Sequence, residues 1–315
     1  MKKVVIFGGG SGLSQLLKGL IKFPIDITAV VSVSDNGGST GKIREEFKIP
    51  AVGDITKVLM AMSTESEGVK DLFNYRFKQD SSIGAHSIKN LIMTALLEMK
   101  GDFAHSLPIL CDLLDVKGEL LPLTEDDVEL VGITRSGREI VGEAEITEAK
   151  ARIKELKYNK KVKISKKVLD AIQNADLIVF SSGSLLTSIM PHIIVPEVAN
   201  AINKSKAKTM YICNMLTQPG ETDGFKVSDH IKALEKYLGK KSIDVVIANN
   251  QTIPTDMEIF ARSEGKETVE IDYEKLSKQG VEVIEEKLFK VEDGYVRHDS
   301  LKTAFLIFAY LMEEE

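Results

Sequence analysis

Short β-branched apolar runs alternate with longer segments of helical period along this chain, and that alternation constrains the fold more than any other feature. Residues 4–7, 27–33, 177–180, 209–213 and 245–248 are near-continuous in apolar side chains. Strands covered on both faces read this way. Helical segments at 13–21, 58–62, 69–77, 88–99, 166–174, 197–203 and 227–238 lie among them, and a last one spans 300–312. The pattern predicts an α/β fold, a Rossmann-like doubly wound and mostly parallel sheet. One region departs. Short strand candidates at 119–123, 129–134 and 139–146, with a turn at Ser136-Gly137, predict a small antiparallel insertion over 116–159. The basic stretch 149–163 that closes it reads as a solvated helix and loop. No repeat or low-complexity linker divides the chain, so a single domain over 1–315 is expected.

Composition removes several function classes. The formal net charge of −6 argues against a general basic field for nucleic acid. Two cysteines, Cys111 and Cys213, stand far apart, which excludes a disulfide framework and a cysteine-rich zinc site. The five histidines show no paired metal spacing. Apolar runs such as 189–195 are short and broken, so no membrane span is expected. The apolar run after Met1-Lys2-Lys3 is too short for a signal peptide, and a cytoplasmic location follows as an expectation.

The first strand runs straight into Gly8-Gly9-Gly10-Ser11-Gly12 and then a helix. Glycines let backbone approach an anion, and the N–H groups that open a helix attract negative charge. Strand, glycine turn and helix at the start of an α/β chain is where a nucleotide phosphate loop sits. The dinucleotide fingerprint is incomplete, because its third glycine falls on Leu13 or Gln15. The second strand ends in Asp35-Asn36-Gly37-Gly38-Ser39-Thr40-Gly41. Asp35 stands where dinucleotide enzymes place a ribose-binding acid. Gly37-Gly38 with the Ser39 and Thr40 hydroxyls can form an anion nest, or an Asx-type turn that caps the next helix. A side chain at Gly38 is expected to block backbone approach to a ligand. Gly41-Lys42 fails the P-loop pattern, and no serine sits in GxSxG.

Five stretches occur in order: residues 8–12, 35–41, 50–55, 183–191 and 213–222. With Arg297-His298-Asp299 they span nearly the whole chain, which resembles the gluconeogenesis-factor (YvcK-like) family. That family is related to the 2-phospho-L-lactate transferase (CofD-like) of deazaflavin cofactor synthesis. The resemblance implies a ligand in the crevice at the strand ends. For the gluconeogenesis-factor branch it implies a UDP-sugar such as UDP-N-acetylglucosamine, and a role in cell shape and wall synthesis during gluconeogenic growth. For the transferase branch it implies metal-dependent transfer from a nucleotide-linked donor, with Mg²⁺ held by Asp35 and Asp54. The chain departs from the family at Thr56, where arginine is usual, and at Ala85 and Lys89, where glycines are usual. Lys57 or Lys89 is expected to compensate for the lost arginine contact, though a lysine lacks the bidentate fork.

Under the nucleotide-sugar reading, residues 8–12 and 37–40 cradle a diphosphate. Asp35 can accept from a ribose hydroxyl or, in a transferase, hold a metal, and Asn36 is counted with it in the binding loop. Asn214 and Thr217 follow one strand end and Asn249 and Asn250 another. Gln218 and Glu221 read sugar hydroxyls or a base edge, and Arg297 clamps the diphosphate. No catalytic residue is assigned. Asn36 stands where the transferase branch carries a second acid, which ranks binding without turnover above transfer. A dinucleotide oxidoreductase ranks third. A Ser/Thr kinase acting at Ser300 or Thr303 and cell-wall synthesis proteins are the macromolecular partners considered. Oligomeric state is left open.

Overall fold

The structure is a computed structural model, and it describes residues 1–78, 83–292 and 294–313. Among the described residues twelve strands follow in chain order. They are β1 (Lys3–Gly8), β2 (Asp26–Val31), β3 (Glu119–Pro122), β4 (Leu130–Thr134), β5 (Glu139–Val141) and β6 (Ile153–Tyr158). Then come β7 (Leu177–Phe180), β8 (Lys208–Ile212), β9 (Val245–Asn249), β10 (Glu282–Glu286), β11 (Phe289–Glu292) and β12 (Tyr295–His298).

Seven strands form one sheet in the order β10-β9-β8-β7-β1-β2-β3, and every pairing in it is parallel. The chain winds outward from β1 through β2 to β3, then returns to β7 and winds the other way. The direction reverses between β1 and β7, and a crevice opens at such a reversal, at the carboxyl ends of the strands.

Side chains alternate across this sheet. Val4, Ile6, Ile27, Ala29, Leu177 and Val179 pack with helices Gly10–Leu20, Gly53–Met62 and Ser300–Glu313. Val5, Phe7, Val30, Ile178 and Phe180 pack the opposite way, with helices Lys166–Gln173, Pro196–Lys204 and Val227–Leu238. Both faces are dry, which is the physical reason the central strands carry no polar alternation.

The insertion is a three-stranded antiparallel sheet, β5-β4-β6. Its boundaries differ from the expectation. The 119–123 candidate belongs to the main sheet as β3, paired in parallel with β2 from Thr28↔Glu119 to Val31↔Pro122. The 139–146 candidate is a strand only to Val141; a helix Glu143–Ala149 follows Gly142, whose φ of +106° turns the chain. The basic 149–163 stretch holds β6 rather than a solvated helix. Leu156 is buried between charged neighbours that stay outside, and the dense charge hid the strand. Helices Phe103–Leu113, Thr255–Ser263 and Tyr273–Gln279, strand β10 and the β11–β12 hairpin were not anticipated. The first of those helices contains Pro108, a residue that marks helix ends in a sequence.

Among the described residues, no single helix is long and apolar enough to cross a membrane.

Candidate functional site

The first glycine loop sits at the carboxyl end of β1, at the switch point. Its glycines serve close packing. A Cβ on Gly8 would lie 2.1 Å from Ser181 Oγ, and one on Gly12 would lie 1.8 Å from the Ser182 carbonyl oxygen. Gly10 opens the helix with φ +55°, and Gly9 faces Asp54, whose Oδ2 would be 2.7 Å from an added Cβ. The helix can approach β7 and Asp54 this closely only without side chains at these positions.

The second loop meets the first through the residues between them. Gly37 N–H donates to Asp35 Oδ1 at 2.9 Å, an Asx turn that leads into helix Gly38–Phe47. A Cβ on Gly53 would lie 2.2 Å from Thr40 Oγ1 and 3.3 Å from Asp35 Oδ2. Ser39 Oγ bonds His86 Nδ1 at 2.8 Å. Asn36 is spent on the insertion: its Nδ2 donates to Glu145 Oε2 at 2.7 Å and its Oδ1 accepts from Ala144 N–H at 3.0 Å. Gly38 is exposed, with nothing within 4 Å of an added Cβ.

Carboxylates, not cations, occupy the junction of the two loops. Burial raises the Asp54 pKa to about 6, helped by the Asp35 charge and opposed by Lys57 and the Gly10 N–H. Burial also holds Glu143, from the insertion, well above the usual carboxylate range, with Asp54 and Asp35 adding to the effect. A raised folded pKa costs stability above about pH 6, and the cost disappears below the unfolded value of 3.8. For Asp54 this is on the order of 2–3 kcal/mol. Asp54→Asn keeps an acceptor for Gly10 and removes the charge. It is expected to raise the melting temperature at pH 8 and to leave it unchanged at pH 3.5; equal shifts at both pH values, read by thermal unfolding, would refute the assignment.

A cavity of about 280 Å³ opens on the β7 side of the first loop. Ser11 and Gly12 line it with Ser182, Gly183 and Ser184 after β7 and with Asn214, Thr217 and Gln218 after β8. Asn214 ties two of these loops together, since Nδ2 donates to the Gly183 carbonyl at 2.7 Å and Oδ1 accepts from Gly183 N–H at 3.1 Å. Thr217 is buried and its Oγ1 accepts from Glu267 N–H at 2.8 Å. Gln218 lines the cavity, while its Oε1 is buried out of reach of solvent without a partner among the described residues. Glu221 lies behind, accepting from Ser184 Oγ at 2.6 Å and from Leu186 N–H at 3.3 Å.

Arg297 closes the cavity from β12. The hairpin that carries it is anchored by His298, whose Nε2 donates to the Cys213 carbonyl at 3.1 Å. Burial pushes His298 down to about 4, so the ring is neutral and this tautomer persists at physiological pH. Among the described residues no carboxylate lies within 4.0 Å of the Arg297 guanidinium, which stacks on Tyr295 at 5.8 Å.

The expected residues therefore divide. Gly9, Gly10, Ser11, Gly12, Asn214, Thr217, Gln218 and Arg297 gather at the switch point. Asp35 to Thr40 lie next to Asp54, outside this cavity. Asn249 and Asn250 line a separate cavity, and Asn249 binds its own surroundings, donating to the Gln251 carbonyl and accepting from Leu288 N–H. Thr56 is buried against Asn90 Oδ1 at 2.7 Å, so it offers nothing to a ligand. Thr303 is buried with its hydroxyl on the Asp299 carbonyl, and Ser300 is half-buried. Sequence reasoning missed Glu143 and Gln15. Glu143 is a single polar residue outside any motif that only packing brings here, whereas Gln15 follows the first glycine loop directly on helix Gly10–Leu20.

The family model of 2-phospho-L-lactate transferase CofD matches residues 4–289. The chain is 40% identical to the gluconeogenesis factor of Bacillus subtilis over 312 residues, covering 99% of this chain and 98% of that one. The chain belongs to the gluconeogenesis-factor group of the CofD family. A putative gluconeogenesis factor of Thermotoga maritima is 42% identical over 311 residues, covering 97% of this chain and 98% of that one. A crystal structure of a Bacillus halodurans protein superposes on this family member with a TM-score of 0.94 at 37% identity, over 98% of this chain and 99% of that one. The similarity covers the insertion and the β11–β12 hairpin as well as the central sheet, so Arg297 and His298 lie within the shared architecture.

Among the described residues no three His, Cys, Asp or Glu side chains are placed to hold a metal ion. Asp35 and Asp54 form a pair that fits Mg²⁺ only if ligand phosphates complete the shell.

Proposed function

We propose that this protein binds a nucleotide diphosphate sugar, with UDP-N-acetylglucosamine as reference ligand, and acts as a regulator of cell shape and wall synthesis during gluconeogenic growth. One observation carries the reading. At the switch point an arginine with no carboxylate partner among the described residues faces the glycine-rich start of a helix across the cavity. Arginine and helix N–H groups suit a diphosphate. Ser184 and Asn214 supply further polar edges. A UDP-sugar at a hundredfold excess over its Kd should stabilise the fold by ~2.7 kcal/mol, while NAD and GDP should shift it less. Thermal melts with UDP-N-acetylglucosamine, NAD and GDP test this. No shift with any UDP-sugar would end the proposal.

Asp35 and Asp54 support a second reading, Mg²⁺-dependent transfer from a nucleotide-linked donor. Two adjacent carboxylates and the phosphates of a ligand can share Mg²⁺, which would neutralise charge on the transferring group. Asn36 stands against it, because its amide is committed to Glu145 and Ala144. Metal-dependent product from a phospholactyl nucleotide would promote transfer over binding.

A further inference from the structure

A second and larger cavity adjoins the one at the switch point, and its chemistry differs. It encloses about 630 Å³ between helices Gly10–Leu20, Gly53–Met62, Glu67–Asn74 and Ile88–Lys100 and the β11–β12 hairpin. Ser11, Gln15 and Arg297 line both cavities, so the two are continuous. Six cations wall the larger one: Lys18, Lys22, Lys57, Lys70, Lys89 and Arg297. Three carboxylates accompany them, Glu67, Asp71 and Glu292. Glu67 is engaged by Lys70 at 3.3 Å, and Glu292 by Lys290 at 3.3 Å and by Gln15. Among the described residues Lys18, Lys22, Lys57 and Lys89 have no carboxylate within 4.0 Å.

Lys57 and Lys89 sit nearest the first glycine loop and helix Ile88–Lys100; Lys57 is exposed at the mouth and Lys89 is half-buried. Lys57 Nζ reaches Ser11 Oγ at 3.3 Å across the mouth of the first loop. Lys89 Nζ donates to Asn74 Oδ1 at 2.6 Å. Burial, then the charges of Lys57 and Arg76, push the Lys89 pKa down to about 8. Unpaired ammonium groups gathered in a pocket repel one another, and an anion placed among them removes that cost. A neutral sugar offers nothing that would.

We propose that this cavity is an anion subsite, separate from the diphosphate position at Arg297, in which Lys57 and Lys89 hold a phosphate or carboxylate group. That group belongs either to the distal end of a bound nucleotide-sugar or to a free small anion. Inorganic pyrophosphate is the probe, titrated by calorimetry into the whole protein. It is expected to bind, and Lys57→Met/Lys89→Met is expected to weaken it at least tenfold. The same variant should bind UDP-glucose within threefold of the parent. Methionine keeps the apolar stems, and a single cooperative melt checks that the variant folds.

UDP-glucuronate distinguishes the two sources. Binding about tenfold tighter than UDP-glucose, with the gain lost in the double variant, assigns the anion to the nucleotide-sugar. Equal affinities, with pyrophosphate still binding to protein saturated with UDP-glucose, assign it to a free molecule. The subsite is refuted if pyrophosphate does not bind, or if the double variant binds it as the parent does. It is also refuted if UDP-glucose displaces pyrophosphate while UDP-glucuronate shows no advantage. If UDP-glucose itself fails to bind, the nucleotide-sugar reading falls, and the pyrophosphate titrations still decide the subsite.

Discussion

Arg297→Ala is expected to weaken UDP-N-acetylglucosamine binding by about 10- to 100-fold while leaving the fold intact. The guanidinium sits at the junction of two cavities without a carboxylate partner. Its removal therefore strands no buried charge. What is lost is a charge-assisted contact to the diphosphate, worth roughly 1.5–3 kcal/mol, and 1.4 kcal/mol is one decade in affinity. Arg297→Lys should recover only part of the loss, since an ammonium cannot bind two phosphate oxygens in a fork. Isothermal titration of the three proteins measures the effect. An alanine variant with parental affinity would remove Arg297 from the site and, with it, the main support for a diphosphate there.

Gly12→Val should have the largest effect on stability. The added Cβ would lie 1.8 Å from the Ser182 carbonyl oxygen, 2.6 Å from its carbon and 3.1 Å from Gly183 Cα. All three are backbone atoms, and no rotamer change relieves the clash. Helix Gly10–Leu20 would have to move off β7, disturbing the packing of Leu13 and Leu17, both wholly buried. A loss of at least ~3 kcal/mol is expected, at the upper end of overpacking costs. Urea denaturation reads it as a lower midpoint, and a Gly12→Val midpoint equal to the parent's would refute the close approach. Gly38→Val is the contrasting variant. Its side chain would meet nothing within 4 Å, and only the φ of +50° opposes it, at ~1–2 kcal/mol. Any loss of ligand binding in Gly38→Val would therefore come from the space the side chain takes outside the protein, not from a clash within it.

How far the site could be read from sequence depended on how local each feature is. The first glycine loop was legible because strand, turn and helix are contiguous and their geometry follows from adjacent residues. Arg297 was nominated through its neighbours in a family-like stretch, and the β11–β12 hairpin brings it to the switch point. Asn249 was nominated by the same strand-end logic and lies in another cavity, since β9 is three strands from β1. Asp35 and Asp54 were named as a pair, but their shared burial with Glu143 was not visible. Glu143 is 89 positions beyond Asp54 and enters from a helix read as strand.

The sequence by itself determined the five central strands of the sheet, while its two edges, β3 and β10, came from the tertiary structure. Apolar runs that cannot face water on either side admit only a parallel sheet covered by helices, and the glycine loop then falls at a strand's carboxyl end. Tertiary structure alone decided the charge. The −6 total gives no hint that carboxylates collect at the junction of the glycine loops while lysines from separate helices surround the neighbouring cavity. Electrostatic energy depends on distance and on exclusion of water, and neither is fixed until the helices have packed.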